Sequence, residues 1–364
     1  MTARLFTPFH LRDTELDNRI VIAPMCQYSA EDGLAGDWHE LHWGQLALSR
    51  AGLLMIEATG VSPEGRISAG CLGLWNDAQE AAIAAGVAKA RAVSDIAIGI
   101  QLAHAGRKAS VLKPWEGKGH LAPGDGGWQV VGPSAVPFAE DWPVPHEMSE
   151  ADIAQVVDDF AAATRRAVRL GMQAIEIHAA HGYLLSSYLS PLANRRTDHW
   201  GGSLENRMRL PLAVLDAVRA AAPETVPVAV RLNGTDWIEG GIHPDEAVAL
   251  ARALREHGCD LVDVSSGGNG FAQIPVGPGY QVPVASRIRR EVGIATMAVG
   301  LIRAPQHAEA IVAGGEADLV ALGRGILNDP RWPWHAAEEL GVPLEVAPQY
   351  RFGATTAYRP TWGR

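Results

Sequence analysis

Eight short apolar runs recur along the chain, separated by segments with helical periodicity or Gly/Pro punctuation, and this repetition limits the fold more than any other feature. They are NRIVIAPM (18–25), LLMIEATGV (53–61), IAIGIQLAH (96–104), AIEIHAAH (174–181), PVAVRLNG (227–234), LVDVSSGG (261–268), ATMAVGL (295–301) and LVALGRG (319–325). Between the third and fourth, Ser149 opens a helix with Asp152 three residues on, a capping-box variant. Ile153, Val156, Val157, Phe160, Thr164, Ala167 and Val168 then follow at i, i+3, i+4 spacing until Gly171. A similar helix runs from Pro244 to Gly258. Strand and helix in alternation predict parallel strands joined by crossovers, and eight such units close into a (β/α)8 barrel, an α/β fold. An open doubly wound sheet would want a G-x-G-x-x-G turn after an early strand, and none stands there.

The polar residues lie almost wholly at or just past the carboxyl ends of these runs, where a barrel carries its active site. They are Pro24-Met25-Cys26, Glu57-Ala58-Thr59, Gln101 with His104, His178 with His181, Arg231, Ser265, Val299-Gly300 and Gly323-Arg324. A typical barrel needs about 250 residues. The 364 residues here are read as one domain whose surplus is in loops. Residues 105–148, after the third strand, and 267–285, after the sixth, are rich in Pro and Gly and should overhang the site. A tail, 342–364, follows the last helix.

A net charge of −10 without runs of like charge argues against a nucleic-acid or anionic-membrane surface and favours a small-molecule partner. The amino terminus lacks the apolar stretch of a signal peptide, and no run is long enough to span a bilayer. Three scattered cysteines, Cys26, Cys71 and Cys259, fit neither a disulfide framework nor a cysteine-only metal site. A reducing cytoplasm is the expected setting.

His178, His181 and Tyr183 fall within six residues at the end of the fourth strand. A buried polar group without a partner costs roughly 1–3 kcal/mol, so three together need a ligand or a chemical task. Two readings of the pair stay open: imidazole N–H groups that polarise a bound oxygen, or ligands of a metal-dependent barrel hydrolase, with His104, Glu57 or Asp263 completing the set. Gly300 and Gly323-Arg324 close strands seven and eight, the usual phosphate position in this architecture. There glycine lets backbone N–H groups approach and arginine adds a bidentate charge. Gln101 and Arg231 put an amide and a fixed cation at the barrel mouth, suited to the polar edge of a redox-active ring.

The run H-x-A-H-G-Y-L, followed by SYLSP, N-R-R-T-D, W-G-G-S and E-N-R (178–207), resembles the central signature of the Old Yellow Enzyme family of FMN-dependent ene-reductases. NRIVIAPMCQY near the start, and AVGLI with GRGILNDPRWP near the end, resemble its flanking segments, so the likeness covers essentially the whole chain. Cys26 with Tyr28 is similar to the thermophilic-like, or xenobiotic-reductase-like, branch.

The resemblance implies that Pro24, Met25, Cys26, Ala58, Gln101, Arg231, Gly300, Gly323 and Arg324 surround FMN, the last three at its phosphate. It implies that His178 and His181 hold the substrate's activating oxygen, that Tyr183 donates the proton, and that Cys26 tunes the flavin potential. Tyr28 and Lys108 would line the substrate side. NADPH, or NADH, would reduce the flavin and leave, and an enone or nitroalkene would then take hydride from N5 in a ping-pong cycle. In the tail, QYR resembles a segment that crosses a dimer interface, which implies a homodimer or homotetramer in which Arg351, or Trp362 beyond it, enters the neighbouring site.

Overall fold

The computed structural model describes residues 3–353. A short antiparallel hairpin, β1 (Phe9–Leu11) and β2 (Thr14–Leu16), precedes the barrel. In chain order follow β3 (Ile20–Ile22), α1 (Asp37–Ala47), β4 (Leu53–Gly60), α2 (Asp77–Arg91) and β5 (Ala97–Ala103). A long loop with a small pairing, β6 (Val131–Gly132) and β7 (His146–Glu147), leads to α3 (Glu150–Arg169) and β8 (Ala174–Ala179). Then come α4 (Leu184–Leu189), α5 (Leu204–Ala221), β9 (Val228–Asn233), α6 (Pro244–Glu256) and β10 (Leu261–Ser265). The chain continues through α7 (Val282–Val292), β11 (Ala295–Ala298), α8 (Pro305–Ala313), β12 (Leu319–Leu322), α9 (Arg324–Asn328) and α10 (Trp332–Glu339).

Strands β3, β4, β5, β8, β9, β10, β11 and β12 close into one parallel barrel, in the places that the eight runs predicted. Several strands stop earlier than the apolar runs do. The runs ending at Gly268 and Leu301 turn at Gly267, Gly268, Gly300 and Leu301, all at positive φ, so the last residues of each run are rim loop, not strand. Ser149 caps α3 through Asp152 as expected, and α6 begins at Pro244. The β1–β2 hairpin was not expected. It packs Leu16 against Leu53, Ala97, Ala174, Ala229, Leu261 and Leu319, and so plugs the amino-terminal end of the barrel.

Side-chain alternation splits the core in two. Ile98, Ile100, Ile175, Ile177, Val228, Val230 and Val262 point outward into the layer shared with the helices. On β5, β8, β9 and β10 the inward positions are apolar only at the bottom, and higher up they become Gln101, Glu176, His178, Arg231, Asp263 and Ser265, all buried. The barrel therefore encloses a polar upper half beneath its carboxyl-terminal rim. Among the described residues no helix is long and apolar enough to cross a membrane.

Packing between α1 and α2 sets a local test. Gly86 lies against the buried Trp43, where an added Cβ would come within 2.6 Å of the indole. Alanine improves helix propensity by about 1 kcal/mol, but overpacking a closed core costs about 1–3 kcal/mol. Gly86→Ala should therefore lower the urea-unfolding free energy, by about 1 kcal/mol net. A gain in stability would show that the indole has room to move.

Candidate active site

At the floor of the rim, Gln101 and Glu176 are register partners on β5 and β8, and the Gln101 amide donates to Glu176 Oε1 at 2.7 Å. Arg231 pairs with His178 on one side and Asp263 on the other in register, and its Nε stands 3.0 Å from Asp263 Oδ2, off the direction of a hydrogen bond. Two carboxyls thus share one guanidinium in a sealed barrel. Burial, and then the Asp263 charge, push Glu176 up to about 8, and its second oxygen has no partner. Gln101 spends one N–H on Glu176, and the Nη atoms of Arg231 make no hydrogen bond to a described residue, so both retain polar capacity for a group above them.

The segment after β8 is held in a conformation that side chains seldom adopt. His181 has φ +60°, its N–H donates to Asn233 Oδ1 at 3.0 Å, and its carbonyl accepts from Lys108 Nζ at 2.6 Å. Gly182 follows at φ +74°, where a Cβ would collide with the Gly268 carbonyl at 1.9 Å, so only glycine fits. Behind it, Asp236 accepts from Ser190 at 2.6 Å, Asn269 at 2.9 Å and Asn233 at 3.0 Å, and Asn269 also donates to Ser186 at 3.0 Å. Ser186 and Ser190 of the SSYLSP run, with Asn233, Asp236 and Asn269, thus anchor the loop after β8.

That anchor brings His178, His181 and Tyr183 together. His178 Nδ1 accepts the Ala180 N–H at 3.2 Å, which leaves its proton on Nε2, and Nε2 lies 3.3 Å from His181 Nδ1. His181 Nε2 lies 2.6 Å from Ser265 Oγ. Burial, and next Arg231, hold both imidazoles well below the usual histidine range, so they are neutral. The Tyr183 ring stands edge-on to His178 at 5.0 Å, with the Lys108 ammonium 5.1 Å from its centroid. Burial, and then Cys26, push the phenol well above its ordinary range. Burial, and then Arg107, bring Lys108 down to about 8.

Two further parts complete the rim. A cavity of about 170 Å³ is lined by Arg231, Ser265, Tyr280, Gln281, Gly300, Gly323 and Arg324. Beside it, after β3, the barrel neighbour of β12, Pro24, Met25, Cys26 and Tyr28 run past Ala58, pinned where Gln27 N–H donates to Glu57 Oε1 at 3.0 Å. A larger groove, about 1150 Å³, lies outside the barrel between α2 and α3 and contains none of these residues.

The sequence profile of the NADH:flavin oxidoreductase / NADH oxidase family matches residues 4–342. The chain is 46% identical over 357 residues to an NADPH dehydrogenase of Geobacillus thermodenitrificans (strain NG80-2), covering 97% of this chain and 99% of that protein. It is 42% identical to an NADPH dehydrogenase of Listeria innocua serovar 6a, covering 96% of this chain and 98% of that one. Among solved structures, morphinone reductase superposes with a TM-score of 0.76 at 30% identity, over 95% of this chain and 91% of that one. The chain belongs to the Old Yellow Enzyme / NADH:flavin oxidoreductase family. The branch expected from Cys26 and Tyr28 agrees with these bacterial relatives.

Within this family the residues present fit a flavin nucleotide: a glycine-bearing cavity with the exposed Arg324 at one end, and Gln101 and Arg231 with unspent polar atoms at the other. The expected residues Pro24, Met25, Cys26, Tyr28, Ala58, Gln101, Lys108, His178, His181, Tyr183, Arg231, Gly300, Gly323 and Arg324 all lie at the carboxyl-terminal end of the barrel. Arg351 does not join them. It is exposed and pairs with Glu345 at 3.1 Å in a tail segment beside Arg50 and Asp95, which precede β4 and β5 at the opposite end of the barrel. Trp362 lies outside the described residues. Sequence reasoning missed Tyr280 and Gln281, which reach the cavity from the loop before α7; Gln281 accepts from Ser266 at 2.6 Å and donates to the Val299 carbonyl at 3.0 Å. The metal reading lacks its set: among the described residues no three His, Cys, Asp or Glu side chains converge, and His104 Nδ1 is taken by the Gly106 N–H.

Glu176 yields a pH test. Between the ordinary carboxyl value and about 8, the folded protein holds a proton on Glu176 that the unfolded chain releases. Unfolding free energy should therefore fall as pH rises through that window, at up to about 1.4 kcal/mol per pH unit, and level off above it. Glu176→Gln, neutral throughout, should remove this component of the slope when urea unfolding is measured from pH 6 to pH 9. Parallel curves for the two proteins would mean that Glu176 is already ionised.

Proposed function

We propose that this chain is an FMN-dependent NADPH dehydrogenase that reduces activated C=C bonds of α,β-unsaturated carbonyls, nitroalkenes and related compounds. The observation that carries this reading is the convergence of two neutral imidazoles beside a phenol that keeps its proton. The named activities of the bacterial relatives favour NADPH as reductant. Flavin, when bound, accepts hydride from the nicotinamide and passes it to the β-carbon of the alkene.

The chain's own residues bind, polarise and protonate. Gly300, Gly323 and Arg324 would hold the phosphate, Gln101 and Arg231 the polar edge of the ring, and Pro24, Met25, Cys26 and Ala58 its remaining border. In the tautomer in which Ser265 donates to His181 Nε2, that ring's proton stands on Nδ1. His178 Nε2–H and His181 Nδ1–H then aim at one point, where a carbonyl or nitro oxygen accepts from both. As charge builds on that oxygen each N–H bond strengthens, an effect in which one donor can contribute about 2.7–4 kcal/mol. Tyr183 delivers its proton to the α-carbon, and the Lys108 cation above its ring stabilises the phenolate left behind. Lys108 also fixes the His181 carbonyl and Tyr28 borders the substrate side, so both shape the oxygen site. The described part of the tail, up to residue 353, lies away from its own site and is available to a neighbouring copy, and a homodimer or homotetramer is part of this proposal.

Tyr183→Phe should leave flavin reduction by NADPH within a few-fold of the parent while slowing alkene reduction about 10²–10⁴-fold. In the His178→Ala, His181→Ala double variant, a phenol should no longer produce a long-wavelength band on stacking against oxidised flavin. Persistence of that band, or unimpaired enone turnover in Tyr183→Phe, would overturn the assigned roles.

A further inference from the structure

Cys71, on the loop between β4 and α2, takes no part in the chemistry above, yet its surroundings are not those of an inert core thiol. It is buried in a small cluster with Ala58, Ile67 and Ala105, against which Cys26 and Tyr28 pack. Its sulfur accepts the Ser68 N–H at 3.4 Å and lies 3.5 Å from Ser68 Oγ. The two segments abut along their backbones: Ala30 N–H donates to the Gly70 carbonyl at 2.8 Å, and a Cβ at Gly70 would meet the Tyr28 carbonyl at 2.4 Å. Several donors around one sulfur stabilise a thiolate, with Cys26 S–H as the largest contributor, and they bring Cys71 down to about 7. Cys71 is buried and Cys26 only half-buried, and both thiols are free.

We propose that Cys26 and Cys71 are a peroxide-reactive thiol pair that closes to a reversible disulfide between the end of β3 and the β4–α2 loop. The Cys71 thiolate attacks hydrogen peroxide: an S–O bond forms, the O–O bond breaks, and the departing hydroxide takes a proton to become water. Cys26 then loses its proton and attacks the Cys71 sulfenic acid; the S–S bond forms and the second oxygen leaves as water. Two thiols and one peroxide give one disulfide and two waters, and a dithiol reductant reverses the step. The readout is sulfur chemistry, so the proposal does not rest on the assigned alkene activity. Its consequence is positional: the cross-link would fix the residue that borders the proposed flavin site.

The test is a thiol titration of the intact protein, denatured after treatment with hydrogen peroxide and quenching with catalase. The three free thiols of the untreated chain should fall to one, Cys259, and dithiothreitol should restore all three. Tryptic peptides 20–50 and 67–89 should be recovered joined, two hydrogens lighter than their sum. Thiol loss should quicken about tenfold from pH 6 to pH 8, as a thiolate forms near 7. Cys71→Ser should abolish the joined peptide. Three thiols surviving peroxide, oxidation of Cys26 to sulfinic acid without joining, or equal loss of Cys259 would each overturn the proposal, and these outcomes are read on the parent chain even if the variant fails to fold.

Discussion

Arg231, on β9, shares the interior of the barrel with two carboxyls, Asp263 of β10 at 3.0 Å and Glu176 of β8, and the site depends on this arrangement. A closed parallel barrel directs every second side chain inward, and on β8, β9 and β10 the inward positions change from aliphatic to ionisable halfway up. Buried charge is costly unless paired. One guanidinium between two carboxyls is paired when one carboxyl keeps its proton, and the direction of the Glu176 shift is what that requires. The outcome is a rigid floor that turns an amide and a cation towards the rim.

On that floor the loop after β8 is set by constraint more than by preference. His181 at positive φ and Gly182 against a carbonyl are unfavourable in isolation. They persist because Asn233, Lys108 and the Asp236 network hold the backbone from several sides. The same contacts orient the imidazoles, so the strained backbone and the geometry proposed to polarise substrate have one cause. Neutral histidines follow from burial and from the nearby Arg231 cation, and both effects favour N–H groups that donate without carrying charge.

Much of this was legible in the sequence because barrel strands carry a strong local signal. Eight apolar runs with polar ends located all eight strands, and the residues at those ends proved to share one rim. Strand ends were less legible: rim glycines sit inside apolar runs, and only their positive φ shows that the ladder has stopped. The β1–β2 hairpin escaped notice since three-residue strands among charges leave no clear period. Gln281 was invisible for a different reason, being brought to the cavity by a loop whose path depends on tertiary contacts such as the Gly279 N–H to the Gly300 carbonyl at 2.7 Å. The packing of Cys26 against the cluster that holds Cys71, 45 positions away, likewise belongs to the fold and not to local pattern.

The central claim is that one rim alternately serves a nicotinamide and an electron-poor alkene through a flavin held above Arg231 and Gln101. Anaerobic half-reactions measure this directly. Protein loaded with FMN should lose its flavin absorbance on addition of one equivalent of NADPH. It should regain that absorbance on addition of one equivalent of cyclohexenone, with the saturated ketone as product. Failure to bind FMN, or a flavin that NADPH reduces but that stays reduced in the presence of cyclohexenone and nitroalkenes alike, would contradict the account.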